Sequence, residues 1–311
     1  MKTIDLHCDT ILRLSENPNE NLFNAKGHIN YEKLVKGDVY CQCFALFTKM
    51  HELADDAYTP FERLSRLHDL FIKEIEESSG KLKRAYSAND ILNNKDSISV
   101  MLTIEGLDAL EGKRKNLDTL ISWKPKIASF TWNWENELAY PQSEDKAIMQ
   151  SGLKDFGFEV LERFNQEDII IDVSHLSDGG FWDVIKSGNK VVATHSDCRA
   201  VTNTGRNLTD DMIRALADKG GVVGLNFCSP FLTDDKSHES RVSDMVIHTK
   251  HLLNVGGEDI LAMGSDFDGI GGKLEIDGPD KFPLLEAALR KAGLKEEVIE
   301  KMFYKNILRL L

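Results

Sequence analysis

Nowhere in this 311-residue chain is there a run of about 18 apolar residues, which excludes a membrane-spanning helix. Basic side chains are the minority, 38 Lys and Arg against 51 Asp and Glu, and no basic patch offsets the formal charge of −13. Nucleic-acid phosphates need a positive surface, so a nucleic-acid partner is excluded. Cysteine is scarce and odd in number, at five, which fits reduced thiols better than a disulfide framework. The first expected strand begins at Thr3, leaving no room for an export leader, so a cytoplasmic location without membrane contact is expected. No linker, internal repeat or low-complexity stretch marks a boundary, and residues 1–311 read as one domain.

What the chain does have is a regular alternation. Apolar, β-favouring runs appear at Thr3–Asp9, Asp38–Phe47, Ser97–Glu105, Ile127–Asn133, Asp168–His175, Lys190–His195, Gly221–Phe227 and Ile260–Asp266. Between them, Pro60–Glu77, Gly157–Gln166, Gly179–Ser187, Thr209–Lys219 and Asp244–Val255 carry helical periodicity, several opening on polar caps. Strand followed by helix throughout implies parallel strands joined by right-handed crossovers. Eight of them close naturally into a (β/α)8 TIM barrel, with an open doubly wound sheet as the fallback. The Leu284–Leu311 segment reads as two helices packed on that barrel.

Several of these runs end in metal-ligand side chains. Alternation along the first strand puts Asp5, His7 and Asp9 on one face; the third run stops at Glu105, the fifth at His175 and the sixth at His195. Imidazole and carboxylate converging at strand C-termini suit first-row divalent cations, and in a barrel residues this distant in sequence meet at one mouth. His7, Asp9, Glu105, His175 and His195 are too many for one tetrahedral zinc and about right for two, one carboxylate bridging.

Asp266 ends the eighth run and can ligate or act as general acid and base, whereas Asp268 in the following Asp-Gly reads as a turn residue. Arg206, in the loop after the sixth run, suits a bidentate grip on a substrate carboxylate. Cys41 and Cys43 alternate with Val39, Ala45 and Phe47 and read as core, while Cys8 faces away from its ligand neighbours. His28, His51, His68, His238, His248 and His251 read as surface or packing residues.

These residues carry a resemblance. Asp5-Leu6-His7-Cys8-Asp9-Thr10, Ile104-Glu105-Gly106, Gly152–Gly157, Ile171–Leu176, Ala193-Thr194-His195-Ser196, Arg206-Asn207 and Gly264–Gly269 together resemble the membrane (renal) dipeptidases, binuclear zinc peptidases on a (β/α)8 barrel. The resemblance runs over nearly the whole chain. It implies two Zn2+ per chain, one on His7, Asp9 and Glu105, the other on His175, His195 and the same Glu105. It also implies a shared water as nucleophile, Arg206 on the dipeptide's C-terminal carboxylate and Asp266 in proton transfer. The substrates it implies are L,L and L,D dipeptides, with β-lactams for some members.

One position departs from the mammalian pattern. Phe130-Thr131-Trp132-Asn133 puts Trp132 where those enzymes carry a histidine that meets the developing oxyanion. Indole is a donor with an apolar body, so any such role falls to the metals or to Asn133, and Trp132 bears on substrate range. Another metal-dependent amidohydrolase on the same barrel is the first rival. Those often open with His-x-His and bridge through a modified lysine, where this chain has His-x-Asp and Glu105. A metal-binding homologue with lost catalysis is the second. No feature of the sequence sets the oligomeric state, and a homodimer stays open.

Overall fold

The computed structural model describes residues 1–49 and 57–311, so His51 lies outside the described residues. Eight parallel strands form the barrel: β1 (Thr3–Asp5), β2 (Val39–Phe47), β3 (Ile98–Glu105), β4 (Ile127–Ser129), β5 (Ile170–Asp172), β6 (Val191–Val192), β7 (Val223–Leu225) and β8 (Leu261–Met263). The register runs Ile4 opposite Cys41, Phe47 opposite Glu105, Thr103 opposite Ile127, Ile127 opposite Ile170 and Ile171 opposite Val191. On the other side Asp5 faces Met263 and Leu261 faces Val223. A bridge from Ala193 to Val223 joins β6 to β7 and completes the ring. A further short strand, Leu82–Arg84, lies beside the first half of β3, on the flank that β4 occupies further along.

Every strand, or the residue that adjoins it, contributes to one apolar cluster, through Ile4, Leu6, Cys41, Cys43, Met101, Ile127, Ile170, Val192, Val222 and Ala262. One or two residues from each strand is what a filled barrel lumen requires. Ile307 packs into the same cluster with Tyr304, Leu308, Leu310 and Leu311, so the C-terminal segment stops one end of the barrel. Fully burying each such aliphatic side chain stabilises the fold by roughly 1.5–3 kcal/mol. Cys41 and Cys43 are therefore core, as their alternation predicts, and Cys8 turns to the outer layer, its thiol donating to Cys43 O.

Helices cover the outside. Pro60–Glu76 opens on a capping box in which Thr59 accepts from Glu62 N and Glu62 from Thr59 N, with Pro60 at the first helical position. Ser177 caps Asp178–Ser187 by accepting from Gly180 N, and Thr209 caps Asp210–Asp218 by accepting from Met212 N. The C-terminal segment forms Phe282–Lys291 and then a helical stretch from Glu296 to Leu308 whose middle turn, Lys301–Lys305, is π-helical. No helix among the described residues is long and apolar enough to cross a membrane.

The strands are shorter than the apolar runs. β4, β5, β6 and β8 stop at Ser129, Asp172, Val192 and Met263, not at Asn133, His175, His195 and Asp266. Past β5 and β8 the backbone turns left-handed, at His175 (φ 67°) and Asp266 (φ 63°), which no strand accommodates. β1 likewise ends at Asp5, and the alternation beyond it fails. Asp5 leaves the ligand face and accepts from Ser265 N (2.8 Å), Ser265 Oγ (2.6 Å) and Gln42 Nε2 (2.9 Å).

Candidate metal centre

The loops after β1, β5, β6 and β8, together with the last residue of β3, bring their polar side chains to one mouth. Glu105 stands between two groups. Its Oε1 lies 3.1 Å from His175 Nε2 and 3.4 Å from His195 Nε2, while Oε2 lies 3.6 Å from His7 Nε2, itself 3.5 Å from Asp9 Oδ2. Each carboxylate oxygen thus serves a different cluster, the arrangement of a bridging ligand. All five side chains are buried.

The protons on the two histidines can be assigned from their other nitrogens. His175 Nδ1 donates to Asn133 Oδ1 at 3.0 Å. The Thr194 hydroxyl gives its hydrogen to Asp172 Oδ2, so its oxygen accepts from His195 Nδ1 at 2.7 Å. Asp172 is held in turn by the backbone amides of Ser174 and Thr194, each at 2.9 Å. Both Nε2 atoms are left bare, and they face one another at 3.0 Å. Burial, with Arg206 and His7 nearby, holds both imidazoles well below the ordinary histidine range, so neither carries a second proton at neutral pH. Two nitrogen lone pairs and a carboxylate oxygen converge there, a donor set that a cation between them would satisfy.

The second group leads to the same requirement. His7 Nε2 and Asp9 Oδ1 are buried without a hydrogen-bond partner. Burial opposes a charge on His7, but Glu105 and Asp9 outweigh it and raise its pKa well above the ordinary value. Burial pushes Glu105 up to about 7 and Asp266 up to about 6, with Asp9 adding to both and His7 opposing. The pocket is short of positive charge, and its mixed imidazole and carboxylate donors fit divalent metal ions. Asp9 and Asp266 leave no room for a side chain at Gly269, where a Cβ would lie 2.1 Å from Asp9 Oδ2 and 2.8 Å from Asp266 Oδ1.

A cavity of about 280 Å3 opens onto these groups, walled by Phe47, Trp132, Asn133 and Phe231 as well as Asp266. Trp132 is half-buried, its ring 4.7 Å from that of Phe47 and 6.2 Å from His175. Asp266 Oδ1 lies 3.9 Å from His7 Nε2, and Oδ2 accepts from Asn226 Nδ2 at 3.0 Å. Arg206 sits behind the wall, 5.5 Å over the Phe231 ring, donating to Ser196 Oγ (2.8 Å) and His195 O (2.9 Å) while its buried Nε has no partner. Asp268 does not join the cluster. It accepts from Thr10 Oγ1 (2.7 Å) and His28 N (2.7 Å), tying two loops together as its Asp-Gly context suggests.

Asp172, Thr194 and Asn226 escaped the reading of the sequence. The first two lie inside motifs noted for the histidine beside them, and a polar residue flanking a ligand is the signal for an orienting partner. Asn226 is the polar residue next to the end of the Gly221–Phe227 run, close to the position that marked Glu105 and His195 in theirs.

A family model described as membrane dipeptidase, peptidase family M19, matches residues 1–311. An uncharacterized protein in the pqqA 5′ region of Klebsiella pneumoniae is 34% identical over 248 residues, 76% of this chain and 90% of that one. An uncharacterized dipeptidase of Schizosaccharomyces pombe is 27% identical over 313 residues, covering 96% of this chain and 74% of its own. A crystal structure of a metallo peptidase from Rhodobacter sphaeroides, bound to a phosphinate mimic of L-Ala-D-Ala, shares the fold at TM-score 0.90 and 24% identity, over 100% of this chain and 98% of that one. A match over its entire length places this chain in the membrane dipeptidase family, peptidase family M19, and makes it a metallopeptidase that hydrolyses dipeptides.

Proposed function

We propose that the chain is a zinc-dependent dipeptidase whose two cations share Glu105. His7, Asp9 and Glu105 would hold one, and Glu105, His175 and His195 the other. The observation that carries this reading is the division of the Glu105 oxygens between two groups whose nitrogens are bare or unpartnered. When bound, such cations lower the pKa of water from about 15.7 to about 7 and polarise a carbonyl oxygen.

The chain's own groups do the rest. Asp266, steadied by Asn226, accepts the proton of the attacking water and returns it to the leaving amine. Trp132 and Phe47 wall the cavity with apolar surface and limit solvent around the scissile bond. The test is a dipeptide panel assayed on stripped protein with zinc, manganese or cobalt restored. It pairs L,L with L,D members, because the Rhodobacter enzyme was bound to an L-Ala-D-Ala mimic. Zinc-restored protein should turn over dipeptides and leave tripeptides intact. No turnover with any of the three metals would leave a metal-binding homologue without catalysis.

Arg206 is assigned the substrate's free carboxylate, reached through guanidinium N–H groups not already spent on Ser196 and His195. Arg206→Lys keeps the charge and loses the fork, so KM should rise with kcat less affected. C-terminally amidated dipeptides should be poor substrates of the wild type. If they are cleaved as well as the free acids, Arg206 serves only to position the His195 backbone.

Trp132 shapes the pocket instead of supplying an oxyanion donor. Removing such a donor typically costs about 100- to 1,000-fold in kcat, so Trp132→His should gain rate where the imidazole reaches the oxyanion. It should also alter the preference for the second residue. Identical kcat and KM for both proteins on L,L and L,D pairs would remove Trp132 from any role in specificity.

A further inference from the structure

A second, open cavity of about 590 Å3 adjoins the metal cavity, and Arg13, Asp268 and Ile270 line both. Its charged lining is Arg13, Lys26, Lys33 and Lys273 against Asp268 and Asp277. Both acids are already engaged, Asp268 by Thr10 and His28 and Asp277 by Lys281 at 2.7 Å. Arg13 pairs with Glu20 at 2.7 Å and Lys273 with Glu239 at 2.7 Å. The other two ammonium groups differ. Lys33 Nζ donates to the backbone carbonyls of Gly27 (3.0 Å) and Asp277 (3.4 Å), and among the described residues neither Lys26 nor Lys33 is in an ion pair. His28, also in the lining, accepts from Asp268 N through Nδ1 at 2.9 Å, which leaves its Nε2 hydrogen as a donor.

Two ammonium groups outside any ion pair and a neutral imidazole donor beside the reaction cavity are out of character for a chain of charge −13. A cleft whose lining carries four basic groups against two engaged acids attracts anionic ligands. We propose that this second cavity is a substrate subsite for a side-chain carboxylate: a dipeptide with Asp or Glu at one position places its peptide bond at the metal cluster and its side chain against Lys26 and Lys33. The inference rests on the dipeptidase reading and adds to it a class of preferred substrate.

The experiment compares Ala-Glu with Ala-Gln and Glu-Ala with Gln-Ala on zinc-loaded protein, using the chirality already found to be cleaved. Each pair differs in charge with little change of shape. Wild type should favour the acid in one pair by roughly tenfold in kcat/KM, carried by KM, and the preference should shrink as salt is raised. Lys26→Ala/Lys33→Ala should erase that preference while leaving the amide-bearing substrates unchanged. Should the double variant not fold, Lys26→Gln alone, at an exposed position, should reduce the preference. Equal kcat/KM for acid and amide in both pairs, or a preference that survives the substitutions, overturns the subsite and leaves the dipeptidase reading intact. Failure to cleave any of the four overturns both.

Discussion

In Glu105→Ala both proposed cations should be lost and dipeptide hydrolysis should fall to background. The ligand sets His7, Asp9, Glu105 and Glu105, His175, His195 have Glu105 in common, so removing this carboxylate leaves His7 with Asp9 on one side and two imidazoles on the other. Two ligands hold a divalent ion far more weakly than three. Metal analysis after saturation and dialysis should give two ions per wild-type chain and fewer than one in the variant. One ion per wild-type chain, with unchanged binding in Glu105→Ala, would sink the binuclear reading. A readout independent of activity comes from the metal-free protein. Burial raises the folded-state pKa of Glu105 to about 7, so its neutral form is the favoured one and the stripped chain loses stability as pH rises from the ordinary carboxyl range through about 7. Glu105→Gln, which removes that titration, should flatten the fall in Tm of stripped protein across this window. It also shows whether the Ala variant fails through metal loss or through folding.

The second large effect belongs to Asp266. Positioned proton transfer contributes about 100- to 10,000-fold to rate, so Asp266→Asn should lower kcat by that order, with metal content unchanged and KM little altered. The pH profile separates proton transfer from simple positioning. Asp266 must be ionised to accept a proton; burial raises its pKa to about 6 against the opposing pull of His7 and Arg206, and the proposed cations would draw it down. The acidic limb of kcat/KM in wild type should therefore fall at or below pH 6. In Asp266→Asn the residual activity should lose that limb. A variant with near-normal kcat, or with the limb intact, would remove Asp266 from the reaction. The left-handed backbone at Asp266 and His175 fits such duty, since non-glycine residues adopt it at a cost that surrounding structure must offset.

Much of this architecture is legible in the sequence. Binary patterning alone marked the eight strands, because a barrel strand buried on both faces must be an apolar run and its polar residue stands out where the run ends. Glu105, His195 and Asp266 were found that way, and His7, Asp9 and His175 by the same logic at β1 and β5. Asp268 was read correctly as a turn residue for the same reason: Asp-Gly is local chemistry.

What local chemistry does not encode had to come from the fold. Where a strand ends depends on ladder partners, so β5 and β8 were drawn three residues too long, through residues whose φ is positive. Asp5 obeyed the alternation on paper, yet its carboxylate turns to Ser265, 260 positions away in the chain. Which oxygen of Glu105 serves which cluster, which histidine nitrogen is bare, and which lysines lack a carboxylate partner are all set by distances between separate loops. The sequence thus determined which side chains this protein carries to the mouth of a barrel, since burial periodicity is a property of each segment. Only the tertiary structure decided how those side chains face one another, because lone pairs, protons and charges are matched across strands that the chain does not connect directly.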